Sequence, residues 1–155
     1  MSSEAAKEQL GLIGAKIQQE RPFRLVIATG KRKTSIARAV IKPGRGRVWI
    51  NGIPLEIWPI EMARWKMMEP LLLAGKDITS KIDIKVNVKG GGFMSQADAV
   101  RMAIARGLIA YTGSQLLKEI FEDYDRSMIA GDPRRTEPEK PMRRSARRRW
   151  QKSYR

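Results

Sequence analysis

The chain has 155 residues, with 31 Lys plus Arg against 16 Asp plus Glu, a formal net charge of +15, and neither Cys nor His. That length supports one hydrophobic core, and that charge calls for a polyanionic partner, a nucleic acid or an anionic surface. Thiol chemistry and disulfides are excluded, the commonest general base and metal ligand is missing, the apolar runs are too short and interrupted to span a bilayer, and no secretory signal pattern opens the chain.

Residues 1–20, with two Lys and three Glu, read as an N-terminal arm or short helix in which Leu10, Ile13 and Ile17 recur at helical spacing while Gly11 and Gly14 weaken the pattern. Residues 21–47 carry nine basic residues and no acidic one. Within them, Phe23 to Ala28 is β-prone and runs into a basic loop, Thr29 to Ser35. Ile36 to Lys42 follows as a second strand with Ala37, Ala39 and Ile41 on one side and Ile36, Arg38 and Val40 on the other. The turn Pro43-Gly44-Arg45-Gly46 leads to a third strand, Arg47 to Ile50, ended by Asn51-Gly52, so that a meander is expected.

Residues 48–131 balance ten basic residues with ten acidic ones. After Pro59 the apolar period lengthens. Met62, Trp65, Met68 and Leu72 make one helical stripe, read as core packing, and Pro70 is expected to end or kink that helix. Strict alternation returns from Ile82 to Lys89, which places Asp83, Lys85, Asn87 and Lys89 on an exposed face. Gly90-Gly91-Gly92 leads into a helix from about Gln96 to Tyr111, with Ser95 as N-cap, Asp98 in the capping box, and Val100, Ile104, Leu108 and Tyr111 buried. Gly107 lies on that stripe, where it lets the helix approach the sheet, and Arg101 and Arg106 flank it on opposite sides. A last helix is expected from Ser114 to about Arg126, packed through Leu116, Leu117, Ile120, Phe121 and Tyr124.

Residues 132–155 hold ten basic and three acidic residues with little to bury, and read as a basic tail without a core of its own. The domain organisation expected is therefore an arm (1–20), a domain (21–131) and a tail (132–155). Charge confined to two blocks, rather than mixed over the surface, implies two contact regions. Trp150 and Tyr154 add flat surfaces suited to a base or sugar.

Catalytic readings fare poorly. In the run Gly30-Lys31-Arg32-Lys33-Thr34, Arg32 and Ile27 stand where a phosphate loop requires glycine, and Ser95 replaces the third glycine of a dinucleotide fingerprint. Asp83, Asp98, Glu119, Glu122, Asp123 and Asp125 show no acid/base or metal-ligand spacing. No catalytic residue, cofactor or metal is expected. Basic loops and helix N-termini can nevertheless hold the phosphates of an RNA, with steep salt dependence.

Four stretches carry a family likeness: Thr29-Gly30-Lys31-Arg32-Lys33-Thr34-Ser35-Ile36-Ala37-Arg38-Ala39; Val48-Trp49-Ile50-Asn51-Gly52; Val88 to Arg101 with Ala105-Arg106-Gly107-Leu108; and Gln151-Lys152-Ser153-Tyr154-Arg155. In these the chain resembles the family of the ninth protein of the small ribosomal subunit, in its archaeal and eukaryotic-cytosolic form, over roughly Leu25 to Arg155. The resemblance implies an α+β fold, a small two-layer domain with a four-stranded sheet, helices on one face and an extended basic C-terminal tail. It implies a cytoplasmic, non-membrane, non-enzymatic role in the small subunit, with three kinds of partner: ribosomal RNA of the subunit head, neighbouring ribosomal proteins, and the anticodon stem-loop of the peptidyl-site transfer RNA.

The ribosomal RNA contacts expected are Lys31, Arg32, Lys33, Arg38, Arg45 and Arg47; Lys89, Gly90, Gly91, Gly92 and Gln96; Arg101 and Arg106; and Arg134, Arg135, Arg143, Arg144, Arg147, Arg148 and Arg149 of the tail. Lys152, Ser153, Tyr154 and Arg155 are expected at the transfer RNA. Tyr154 stands where bacterial members usually have Lys. Two rival readings are a free-standing RNA-binding assembly factor or chaperone, and a small nucleotide-using enzyme.

Overall fold

A computed structural model describes residues 25–142 and 144–149. The expected arm and the terminal residues Lys152 to Arg155 lie outside the described residues.

Strand β1 (Val26–Arg32) pairs antiparallel with β2 (Ser35–Pro43) from Val26 opposite Ile41 to Arg32 opposite Ser35. Only Lys33 and Thr34 form the turn, with Lys33 at φ 52. The segment expected as a basic loop is therefore mostly strand, and its side chains alternate between the two sheet faces. β3 (Val48–Ile50) and the two-residue β4 (Ile53–Pro54) are joined by Asn51-Gly52, both at positive φ, the backbone that Asn-Gly favours in a tight hairpin. The Asn51 amide also exchanges hydrogen bonds with the backbone N–H and C=O of Val88, continuing the ladder by one side chain.

A short 3₁₀ turn (Leu55–Ile57) leads to α1 (Glu61–Ala74) and the single-turn α2 (Lys76–Thr79). Then β5 (Ile82–Lys89) inserts between β2, to which it is antiparallel, and β3, to which it is parallel. The sheet order is β1-β2-β5-β3-β4. The expected meander is thus corrected, and the sheet has five strands rather than four. A parallel β3/β5 pair needs a crossover, and α1 supplies it. α3 (Phe93–Thr112) ends at Gly113 in the left-handed conformation, and α4 (Gln115–Tyr124) begins at Ser114, whose Oγ accepts from the Leu117 N–H. A 3₁₀ turn (Arg126–Met128) follows.

All helices lie on one face of this mixed sheet, against Ala37, Ala39, Ile41, Ile82, Ile84, Val86 and Val88. Close approach depends on small residues. A side chain at Gly30 would collide with the Ala99 carbonyl and the Ala103 nitrogen of α3, and one at Gly107 would meet Ile41 and Ala28. With Ala97, Ala99, Ala103 and Ala105 also buried, α3 sits directly on β1 and β2.

Three helix expectations change. α1 buries Ala63, Met67, Pro70 and Ala74, whereas Met62, Trp65 and Leu72 of the expected core stripe are exposed. Pro70 does not end the helix, which continues to Ala74. α3 starts three residues before the expected Gln96, with Gly92 at its N-cap, so Ser95 lies inside the first turn and Asp98 serves ion pairs rather than a cap. In α4, Leu117 and Phe121 are buried, but Leu116 and Tyr124 are more than half exposed and Ile120 is only partly covered.

Candidate nucleic-acid interface

The sheet face away from the helices is open, and pairing places its side chains in rows. One row runs Ile27, Val40, Lys85, Trp49; the next runs Thr29, Arg38, Asn87; a third runs Lys31, Ile36, Lys89. Arg38, Lys31, Lys85 and Lys89 are exposed on it. Its single carboxylate, Asp83, is buried, contrary to the exposed position expected from alternation. Parity does put Asp83 on this face, but the loop after β2 folds over it. Asp83 Oδ1 accepts from the backbone N–H of Arg45 (2.9 Å) and of Arg47 (3.1 Å), and its Oδ2 from the Arg47 guanidinium (3.1 Å). A side chain at Gly44 would occupy the space of the Asp83 carboxyl.

Burial pushes that carboxyl up, but the two N–H groups and the Arg47 guanidinium outweigh it and hold it at about 2. The carboxylate thus fixes a Gly-rich loop that holds out Arg45 and Arg47. The Arg47 guanidinium lies 4.8 Å from the centre of the Trp49 ring, with the Lys85 ammonium 5.7 Å away. Lys42, Arg47, Trp49, Lys85 and Asn87 border a cleft of about 570 Å³. Cations beside an aromatic face suit both phosphate and an unstacked base.

The glycine loop after β5 packs against the β1–β2 turn. Gly90 and Gly91 adopt positive φ, and side chains there would strike the Thr34 carbonyl and the Ser35 hydroxyl. The buried Ser35 hydroxyl and the Gln96 amide both donate to the Gly90 carbonyl (2.8 and 3.1 Å). The α3 N-terminus, with no capping side-chain hydrogen bond and no acid in its first turn, follows this glycine loop where the loop rests on Thr34 and Ser35. Gln96 holds the loop and is only in part a surface group.

Three arginines expected at RNA are committed to the protein. Arg101 is buried, paired with Glu69 of α1 and with Asp125 (2.7 Å). Arg106 donates to the Ile129 carbonyl (2.9 and 2.6 Å) and the Thr29 carbonyl (3.0 Å). Each ends on protein, Arg101 on α1 and Asp125, Arg106 on Ile129 and β1. Arg32, largely buried, pairs with Asp132 (2.8 Å) and Asp98 (3.6 Å), and donates to the Arg134 carbonyl.

These contacts root the C-terminal segment. Asp132 is gripped from two sides, its carboxyl held at about 2 by the guanidinium and N–H of Arg134 and then by Arg32, while Arg135 donates to the Lys33 carbonyl (2.8 Å). The chain therefore leaves the domain at the basic turn and is fastened through Arg135. Farther on, Arg147 pairs with Glu137 (2.7 Å), and Arg144, Arg148 and Arg149 are exposed. Arg143 lies outside the described residues.

Lys42, Lys85, Trp49 and Arg126 did not figure among the expected contacts. Lys85 was legible in the alternation of β5. Trp49 carried no local signal, since only pairing with β5 sets it beside Lys85. Arg126 joins Lys31, Arg134 and Arg135 around a second cleft of about 690 Å³ at the root of the tail.

Among the described residues no cluster of acidic side chains could hold a metal, and no helix is long and apolar enough to cross a membrane. Fold and charge together define a two-layer module with a basic, aromatic-bearing sheet face. A family model described as Ribosomal protein S9/S16 matches residues 30–155. The chain is 64% identical over 147 residues to the small ribosomal subunit protein uS9 of Aeropyrum pernix, covering 85% of this chain and 97% of that protein. It is 62% identical over 141 residues to the protein of that name from Pyrobaculum aerophilum, covering 91% and 98%. The chain belongs to the ribosomal protein S9/S16 family and is a non-enzymatic ribosomal protein.

Proposed function

We propose that this protein is built into the small subunit of the cytoplasmic ribosome, where it holds ribosomal RNA of the subunit head. Its sheet face, β1–β2 turn and glycine loop supply the RNA contacts, and its tail reaches toward the peptidyl-site transfer RNA. Family membership supports the setting. The observation that carries the surface assignment is the open sheet face, where Arg38, Lys85 and Lys89 stand exposed and the one carboxylate is consumed by the Arg45–Arg47 loop. Lys31, Lys33, Arg45 and Arg47 extend that surface, and the α3 N-terminus behind Gly90, Gly91 and Gly92 supplies backbone N–H groups to a phosphate.

In this reading Arg32, Arg101 and Arg106 serve the RNA indirectly: Arg101 locks α1 to the end of α4, while Arg32 and Arg106 set where the tail departs. The tail residues Arg134, Arg135, Arg143, Arg144, Arg147, Arg148 and Arg149 continue the track along ribosomal RNA, and Lys152, Ser153, Tyr154 and Arg155 meet the transfer RNA. A basic tail with few apolar residues can enter a groove too narrow for a folded domain.

Charge reversal at Arg38, Lys85 and Lys89 tests the surface. The variant is expected to fold normally, to fail to co-sediment with small subunits at moderate salt, and to show a weaker salt dependence of RNA binding, by about one power of salt concentration per cation lost. Normal incorporation would refute the surface assignment. Removal of Ser153 to Arg155 should leave incorporation intact while weakening retention of peptidyl-site transfer RNA, and unchanged retention would refute the tail assignment.

A further inference from the structure

The helix layer has a surface of opposite character to the sheet face. On α1 the stripe Met62, Trp65 and Leu72 is 72%, 54% and 63% exposed, and on α4 Leu116 and Tyr124 also stand more than half uncovered, with Ile120 partly so. Charge on this side is acidic: Glu56 and Glu61 at the start of α1, and Glu119, Glu122 and Asp123 on α4, are all exposed. The cations nearby are mostly engaged. Lys66 pairs with Asp98 (2.7 Å), Arg64 lies 3.8 Å from Glu61 and donates to the Glu56 carbonyl, and Lys118 lies 3.9 Å from Glu122, which leaves the carboxylates of Glu56, Glu119 and Asp123 without a cation of the described residues paired to them. In a chain of net charge +15, nearly every exposed carboxylate of the described domain is gathered on this one side.

The two helices are held as one platform. Arg101 bridges Glu69 of α1 to Asp125 just beyond α4, and its guanidinium lies 5.9 Å from the Tyr124 ring. Glu69 stands one helical turn from both Trp65 and Leu72, so the α1 stripe adjoins the end of α4 that carries Tyr124. The Trp65 indole N–H donates to Glu61 (3.2 Å), which fixes a half-exposed aromatic ring at the surface. A fixed Trp among apolar neighbours with a charged rim is the anatomy of a protein-docking anchor.

We propose that the outer face of α1 and α4 docks a basic segment of a neighbouring protein in the same particle, a cationic stretch carrying apolar side chains that cover Met62, Trp65 and Leu72. This rests on the ribosomal placement above and adds the surface and the chemistry of its occupant. Charge complementarity selects that occupant. Phosphates would meet Glu119, Glu122 and Asp123, and a second copy docked through the same face would bring those carboxylates against their own kind. The chain thus presents cations to RNA on one side and an acidic, apolar face to a cationic protein on the other.

The test uses full-length chain carrying a photo-reactive benzoylphenylalanine, Met62→benzoylphenylalanine or Leu72→benzoylphenylalanine, incorporated into purified small subunits. Arg38→benzoylphenylalanine serves as the sheet-face control. The expected result is a crosslink from positions 62 and 72 to one protein through a Lys/Arg-rich segment, with position 38 crosslinking to RNA. In subunits that contain the chain, crosslinks from 62 and 72 to RNA, to this chain itself or to nothing would overturn the proposal while leaving the ribosomal placement intact. Failure of every variant, and of the unaltered chain, to enter the subunit would instead refute that placement and this inference together. As a second readout, Trp65→Ala with Leu72→Ala should reduce the crosslinked protein's occupancy at least tenfold while leaving the salt dependence of RNA binding unchanged. Unaltered occupancy would refute the docking role.

Discussion

Asp83→Asn isolates the charge that holds the Arg45–Arg47 loop, because the amide keeps the shape and one acceptor oxygen. Burial raises the Asp83 carboxyl, but the N–H groups of Arg45 and Arg47 and the Arg47 guanidinium lower it further, from 3.8 to about 2. At about 1.4 kcal/mol per unit, that difference ties roughly 2 kcal/mol of stability to the ionised form. The Arg47 side chain is 60% exposed, so solvent screens its share. A loss of about 1–2 kcal/mol remains, or about 5–10 °C in Tm for a domain of this size. The folded value lies below the unfolded one, so the stabilisation is complete above the ordinary carboxylate range and fades as pH falls through about 2. Thermal unfolding of the full-length chain and the variant, followed by circular dichroism at low salt, should show the gap at pH 7 and its closure near pH 2. Equal Tm values at pH 7, or a gap of the same size at pH 2, would refute the assignment.

Gly30→Ala sets a new carbon against the α3 backbone and should cost about 2–4 kcal/mol, whereas Gly107→Ala meets side-chain atoms alone, closest the end of Ile41 and then Ala28, and should cost less; equal Tm losses would contradict the packing described. Arg101→Met removes the cation between Glu69 and Asp125, both partly solvated, and should destabilise the chain by about 1–3 kcal/mol, while Arg38→Ala should stay within about 0.5 kcal/mol by chemical denaturation and still weaken RNA binding. Asp132→Asn should speed amide exchange at Ile129 to Arg135 without lowering the main Tm, and in the unaltered chain the same segment should loosen only as pH falls through about 2; exchange unchanged by the substitution would mean that Asp132 does not hold the tail root.

Local patterns revealed most elements because two periods, two and near four, are imprinted directly by burial on one face. Ala37, Ala39 and Ile41, and Ile82, Ile84, Val86 and Val88, read correctly for that reason. What failed was non-local. The parallel pairing of β3 with β5 joins segments more than thirty residues apart, and no feature of Val48-Trp49-Ile50 distinguishes it from the next strand of a meander. On α1 both faces carry apolar residues, so the period alone could not say whether Met67 or Trp65 turns inward, and Ala63 and Ala74 were too small to weigh in the pattern.

The candidate interface shows the same division in sharper form. Arg32 and Arg38 lie on neighbouring strands in one uninterrupted basic block, and a charge count treats them alike. Strand parity separates them: Arg38 projects from the open sheet, while Arg32 points to the helix side, where Asp98 and Asp132 close around it. Asp98 comes from α3 and Asp132 from beyond α4, so the partners that engage Arg32 on the helix side exist only once the helices have packed. Placing a cation in a basic block therefore establishes affinity for phosphate, and its role follows from which carboxylates the fold delivers to it. In this chain they are delivered almost wholly to the helix side and the tail root, and that distribution leaves the sheet face cationic.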